Sequence, residues 1–307
     1  MPINATLRYF KITTSLKLYY QHWIPQNPKA LLIYVHDLGD HVGRHGNFVK
    51  YFAERGYAVS LYDQRGHGQT GGDLGNDGHF REFVNDLSSF VHFSRNSVPK
   101  GTPLFLVGHG VGAQFIINLL VPGVNSFNAG IVAPPGKIHG FITISAYIKP
   151  LLNNFQWKER FEEKIARIYP SWTVKSLIDP WQLSANKELC TAYSEDPLVI
   201  QKIPIRLQKE ILDNTQIIMA MASRIRMPAL MLHGLEDQIA AAEGTKDFFS
   251  RLPFSSNNLN VYEEGSHELL NGETKDLVFT DMESWLESIP KINQQKETIC
   301  DLPLFTA

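Results

Sequence analysis

The run Gly108-His-Gly-Val-Gly112 lies between a strand-like apolar stretch, Pro103-Leu-Phe-Leu-Val107, and a segment whose Val111, Phe115 and Leu119 recur at helical spacing. A strand passing through small residues straight into a helix is the setting of a nucleophile elbow, Gly-x-Ser-x-Gly. Its small flanks let a strained turn lift the nucleophile above a sheet. The third position here is Gly110, which offers no nucleophilic atom. Two later strand-like runs end in residues that would complete the chemistry. Ala229 to Leu232 leads into His233-Gly-Leu-Glu-Asp237, and Leu259 to Tyr262 leads to the Glu-Glu-Gly-Ser-His run that ends at His267. In this order Asp237 would orient the imidazole of His267. That ring would take the nucleophile's proton and return it to the leaving group. Glu236 is the neighbouring alternative to Asp237. His267 is one of eleven histidines, and only its place after the last strand marks it out.

Acyl transfer also needs two backbone N–H groups for the developing oxyanion. One comes from the residue after the nucleophile, Val111. The other comes from the loop after the strand ending at Val35, where Leu38 is the assigned donor. Two plainer readings of the glycines compete. A dinucleotide fingerprint would need a Gly-x-Gly-x-x-Gly run at the first strand-helix crossing and an acid about twenty residues on, and neither is present. A tight turn without function is the other. His36 and His67 are read as loop braces held by hydrogen bonds. His41 and His45, four apart, are the weak candidate for a metal pair. Cys190 and Cys300 stand outside any metal-type spacing and read as free thiols, which suits a reducing compartment.

The elements that must hold these residues follow from hydrophobic pattern. Leu7 to Ile12 and Leu16 to Trp23 read as an opening antiparallel hairpin. Ala30 to Val35, Tyr57 to Tyr62, Pro103 to Val107 and Gly140 to Ser145 read as strands buried on both faces, with helical segments between them. This alternation predicts an α/β fold, a mostly parallel sheet of about eight strands with helices on both faces. After Ser145 the pattern breaks for about eighty residues, with no clear strand and with prolines at 150, 170, 180, 197 and 204. The expected organisation is therefore a core of residues 1–145 and 227–307 with a helical insertion at 146–226. Trp157, Trp172 and Trp181 fall in the insertion, where packing is the expectation for each aromatic taken singly. The tail 293–307 carries no readable pattern. A net charge of -2 with scattered Lys and Arg argues against nucleic acid as a partner. Neither a signal-peptide core nor a membrane-length apolar run is visible, so a cytoplasmic protein is expected.

The strings Val35-His-Asp-Leu-Gly-Asp-His-Val-Gly-Arg44, Asp63-Gln-Arg-Gly-His-Gly68, Gly108-His-Gly-Val-Gly112 and Glu264-Gly-Ser-His267 resemble the monoacylglycerol lipase and lysophospholipase branch of the α/β-hydrolases. The insertion resembles that branch's cap through Pro170-Ser-Trp172, Ile178-Asp-Pro180 and Ser194-Glu-Asp-Pro-Leu-Val199. The resemblance covers nearly the whole chain. It implies a serine ester hydrolase acting on single-chain lipid esters, with an apolar tunnel under the cap. It also implies no metal or organic cofactor, and a transient contact of the cap with a membrane surface. The chain departs from the pattern twice, with Asp37 where a glycine is usual and Gly110 where the serine belongs. Two readings follow. One is a lipid-ester hydrolase that has lost its nucleophile, in which Gly110→Ser alone would give esterase activity that His267→Ala abolishes. The other is a natural pseudoenzyme binding an acyl lipid or a protein partner.

Overall fold

Strands β1 (Ala5–Lys11) and β2 (Lys17–Trp23) pair antiparallel, as their partly alternating sequences predict. In this computed structural model, residues 5–74, 78–121, 130–131, 136–151, 168–253 and 255–300 are described, the stretch 290–300 by its backbone alone. The core then alternates: β3 (Leu31–Val35), α1 (Gly46–Glu54), β4 (Ala58–Tyr62), α2 (Phe80–Arg95), β5 (Leu104–His109), α3 (Val111–Leu120) and β6 (Gly140–Ile144). Strand β7 (Thr173–Lys175), α4 (Lys187–Glu195), β8 (Lys202–Pro204) and α5 (Ile205–Met221) follow. The alternation resumes with β9 (Ala229–Gly234), α6 (Ala242–Ser250), β10 (Asn258–Tyr262) and α7 (Lys275–Cys300).

Eight strands form one sheet in the order β1-β2-β4-β3-β5-β6-β9-β10. Only β1 and β2 run against their neighbours, and every other pairing is parallel. Every residue of β3, β4, β5, β6 and β9 is buried, which is why these strands read as continuous apolar runs without alternation. Successive side chains still point to opposite faces. Leu31, Ile33 and Val35 join Phe83, Phe90 and Phe115 of α2 and α3 on one side. Leu32 and Tyr34 join Phe48 and Phe52 of α1 and Met282 and Trp285 of α7 on the other.

The segment between β6 and β9 differs from its sequence reading in two respects. It contains a small antiparallel sheet, β7 with β8, whose three-residue strands are too short to leave a periodic signal. Its Trp172 and Trp181 are each 60% exposed, so neither is a packing residue. Trp157 lies outside the described residues. Helix α5 is anchored to the core by a buried amide cluster, in which Asn214 Nδ2 donates to Gln114 Oε1 at 2.9 Å and Asn118 Nδ2 donates to Asn214 Oδ1 at 3.2 Å. Cys190 is a buried free thiol. Helix α7 continues past Asn293 as far as Cys300, through sequence that carries no apolar stripe. No helix among the described residues is long and apolar enough to cross a membrane.

The glycines around the elbow are set by close backbone approach. A Cβ on Gly112 would overlap the carbonyl oxygen of Val35 and lie 2.6 Å from that of His36, neither of which can swing away. Gly112→Ala is therefore expected to destabilise the chain by about 2 to 3 kcal/mol. Gly46→Ala, at a position with nothing within 4 Å, should stay within about 1 kcal/mol of the parent. Urea denaturation midpoints of the two variants measure the contrast, and equal midpoints would refute it.

Candidate active site

The elbow forms where the glycine run predicts it, between β5 and α3. Gly110 has φ 52° and ψ -117°, a conformation that side-chain-bearing residues adopt only under strain. The turn is fixed on two sides. Gly110 N–H donates to the Ile144 carbonyl at 3.0 Å, and the Gly110 carbonyl accepts from Tyr147 N–H at 3.1 Å. Asp237 and His267 are brought together with it, both buried. The His267 Nδ1 lies 2.8 Å from Asp237 Oδ2. The other Asp237 oxygen accepts from Ile239 and Ala240 N–H at 2.8 and 3.0 Å. Glu236, the alternative acid, is exposed and takes no part.

The group that fills the centre of the site is Asp37. One of its oxygens, Oδ1, accepts from Leu38 N–H at 2.7 Å and from Val111 N–H at 2.6 Å. These are the two donors assigned from sequence to the oxyanion. The other oxygen, Oδ2, lies 3.0 Å from His267 Nε2, the nitrogen that would face a nucleophile's hydroxyl. A Cβ added at Gly110 would overlap the carboxylate of Asp37. A serine at residue 110 would need the Asp37 side chain to turn away from this position, where it also holds both oxyanion donors. The carboxylate also sits at the N-terminus of α3, where free N–H groups and the helix dipole favour negative charge.

The charges reinforce this arrangement. Burial alone would lower the pKa of His267, but the paired carboxylates of Asp237 and Asp37 outweigh it and push the value up to about 10. Burial works against the charge of Asp237 as well. His267 and His233 outweigh it and hold that carboxyl well below the usual carboxylate range. The ring is therefore an imidazolium between two carboxylates at neutral pH. A serine-type general base must be neutral at rest.

Sequence reading passed over three neighbours. His233 Nε2 is 3.2 Å from Asp237 Oδ2 and backs the acid, His109 Nε2 donates to the His267 carbonyl at 3.1 Å, and the buried Tyr147 hydroxyl lacks a partner among the described residues. His109 stands inside the elbow run and His233 at the head of the run that ends at Asp237, but only the fold shows what they touch, and Tyr147 stands in no motif. His36 and His67 are loop braces in the structure. His36 Nδ1 donates to the Asp37 carbonyl at 2.7 Å while Nε2 accepts from Gln64 N–H at 3.0 Å, and His67 Nδ1 donates to the Arg65 carbonyl at 2.9 Å. His41 and His45 face different acids, Asp196 at 2.9 Å and Asp40 at 3.0 Å. Two buried groups have the composition to hold a cation, Asp37 with His109 and His267, and Asp40 with His109 and Glu268. In the first a metal would have to displace the proton that His267 shares with its carboxylates. In the second Asp40 is already paired with Arg44 at 3.1 Å.

A family model described as serine aminopeptidase, S33, matches residues 26–275. An uncharacterised abhydrolase domain-containing protein of Dictyostelium discoideum is 27% identical over 267 residues, 86% of this chain, and the chain spans 27% of that protein's length. The monoacylglycerol lipase of Mycolicibacterium smegmatis is 24% identical over 275 residues, covering 89% of this chain and 94% of the relative. Among solved structures, the monoacylglycerol lipase of Paleococcus ferrophilus superposes with a TM-score of 0.74 at 25% identity, covering 88% of this chain and 98% of the other.

Because the folded chain holds the His267 proton more tightly than the unfolded one, that proton adds stability. The contribution is complete below the unfolded value of about 6.5 and is lost as pH rises through about 10. Stability should fall by up to about 5 kcal/mol across that interval. Asp37→Asn, which keeps the shape and removes one charge, should flatten the slope and lower the His267 pKa. Denaturation at stepped pH and the ring-nitrogen NMR shifts of His267 check both. A ring that titrates near 6.5 in the parent chain would contradict the arrangement.

Proposed function

The chain belongs to the serine aminopeptidase S33 family of the α/β-hydrolases, in the monoacylglycerol lipase branch, and from that premise we propose a reading of what it does with the site. It is a lipase-type scaffold for single-chain lipid esters, its core formed by residues 1–145 and 227–307 and its cap by 146–226. Serine chemistry in it has been displaced by a matched pair of substitutions. The observation that carries the reading is the Asp37 carboxylate lying on both elbow-region N–H groups and in the volume over Gly110.

In this reading Asp237 and His267 are the acid and base of the ancestral triad, and Val111 and Leu38 are its oxyanion donors. The 2.8 Å contact between Asp237 and His267 supports the first pairing, and the shared hold on one oxygen supports the second. An acyl-enzyme cannot form at residue 110, because there is no side-chain oxygen to carry it. In a comparable triad, loss of the serine lowers turnover by about a million-fold. Asp37 closes the residual route too, since an ester carbonyl cannot reach N–H groups that a carboxylate occupies. The chain as it stands should therefore be inert toward esters. The cap presents Ile168, Tyr169 and Trp172 at its exposed surface, each at least 60% exposed, which supports a contact of the cap with a lipid surface.

The two substitutions are expected to revert only together. Asp37→Gly with Gly110→Ser should hydrolyse p-nitrophenyl esters and monoacylglycerols at least about a thousand-fold faster than the parent. Gly110→Ser alone should be inert and less stable because of the overlap. Asp37→Gly alone should be inert because it has no nucleophile. A folded double variant with no activity across an ester panel, or a parent chain that turns over esters, would refute this reading.

A further inference from the structure

A carboxylate in place of a serine is not chemically silent. Ionised, it has four lone-pair positions. Asp37 uses two on Oδ1, for Leu38 and Val111, and one on Oδ2, for His267, so one lone pair on Oδ2 remains. We propose that Asp37 is the nucleophile of this site. It opens an epoxide on a single aliphatic chain to the vicinal diol through a covalent ester at its own carboxylate.

The occupied oxyanion hole selects the electrophile. Attack on an ester carbonyl would need those two N–H groups for the substrate's oxygen, and Asp37 Oδ1 holds them. Attack on a saturated carbon needs no such hole. The hole becomes useful one step later: once Oδ2 is alkylated, Oδ1 is the carbonyl oxygen of the new ester. It already lies between Leu38 and Val111 N–H, where negative charge develops when water attacks the ester.

The proton on His267 selects the leaving group. In the first step Oδ2 forms a bond to a ring carbon of the epoxide and that carbon's bond to the ring oxygen breaks. The departing alkoxide takes the proton from His267 Nε2, which lies 3.0 Å from the attacking oxygen. The imidazole is left neutral. Its ester partner is now uncharged, so one of the two carboxylates that held its proton is gone. In the second step the ring accepts a proton from water as the water oxygen adds to the Asp37 carbonyl carbon. The intermediate then collapses, breaking the bond between that carbon and Oδ2. The diol leaves with Oδ2 and a second proton, while the carboxylate and the imidazolium are restored. The balance is epoxide plus water to diol. A halide leaving group would consume no proton and would leave the ring unable to act as a base, so it fits this site poorly. The buried Tyr147 hydroxyl has no partner among the described residues and lies within the electrostatic reach of Asp37 and Asp237.

The aliphatic character of the substrate rests on the lipid reading above, and the test separates the two. The purified chain is given medium-chain terminal epoxyalkanes and phenyl glycidyl ether in water labelled with heavy oxygen. Diol should form, and in a single turnover the label should enter the peptide bearing Asp37 while the diol carries unlabelled oxygen. Asp37→Asn should lower diol formation by roughly a thousand-fold, and His267→Gln, which lacks the proton donor of the first step as well as the base of the second, should lower both diol formation and the label entering the Asp37 peptide. No diol and no label from the parent chain, while the double variant Asp37→Gly with Gly110→Ser hydrolyses monoacylglycerols, would overturn the proposal and keep the lipid pocket. Diol formation with label in Asp37 by a chain whose double variant ignores esters would support it and overturn the lipid-ester reading. Label in the diol instead of the protein would overturn the covalent step.

Discussion

The structure turns on one carboxylate held by three donors in a buried site. Asp37 gathers Leu38 N–H from its own loop, Val111 N–H from the start of α3, and the ring of His267 from the loop after β10. Those elements follow three separate strands, β3, β5 and β10, and Asp37 joins them at one group. In a dry site each of these contacts is stronger than it would be in water, and each donor left unpaired would cost about 1 to 3 kcal/mol. The carboxylate therefore ties together the elbow and the imidazole and sits in the space over Gly110.

Its presence is conditional on Gly110. A side chain there would overlap it where it now sits, and the backbone at that position, with φ 52°, favours glycine. The dependence runs both ways. With glycine at both positions the two N–H groups and the imidazole would face empty space or water. With aspartate and serine together two groups would compete for one volume. The substitutions are coupled in the sense that double-mutant cycles measure, and neither can be valued by itself.

Most of the fold was legible in the sequence because its central strands are buried on both faces and so print themselves as apolar runs, Leu31 to Val35 being the plainest. The elbow, Asp237 and His267 were legible because their places after strands follow from chain order. The part that was not legible is the contact between residues 37 and 110. Each departure is visible on its own, as an aspartate beside a loop and a glycine in a turn. Only the parallel pairing of β3 with β5, which sets Val35 beside Gly108, carries one into the other's space. Short-range pattern has no access to that register. The same limit explains the β7–β8 pair, which is too short for periodicity, and the exposed Trp172 and Trp181, whose side chains look like core by type alone.

The protonation of His267 separates this site from a serine triad. A serine triad keeps one carboxylate on the imidazole, so the ring stays neutral until the reaction brings it a proton. Here the ring sits between two carboxylates and carries its proton before any substrate arrives. Asp37 adds to the hold that Asp237 has on the ring's proton. The ring can act as a base only after it gives up that proton, and removal of the charge on either carboxylate would loosen its hold.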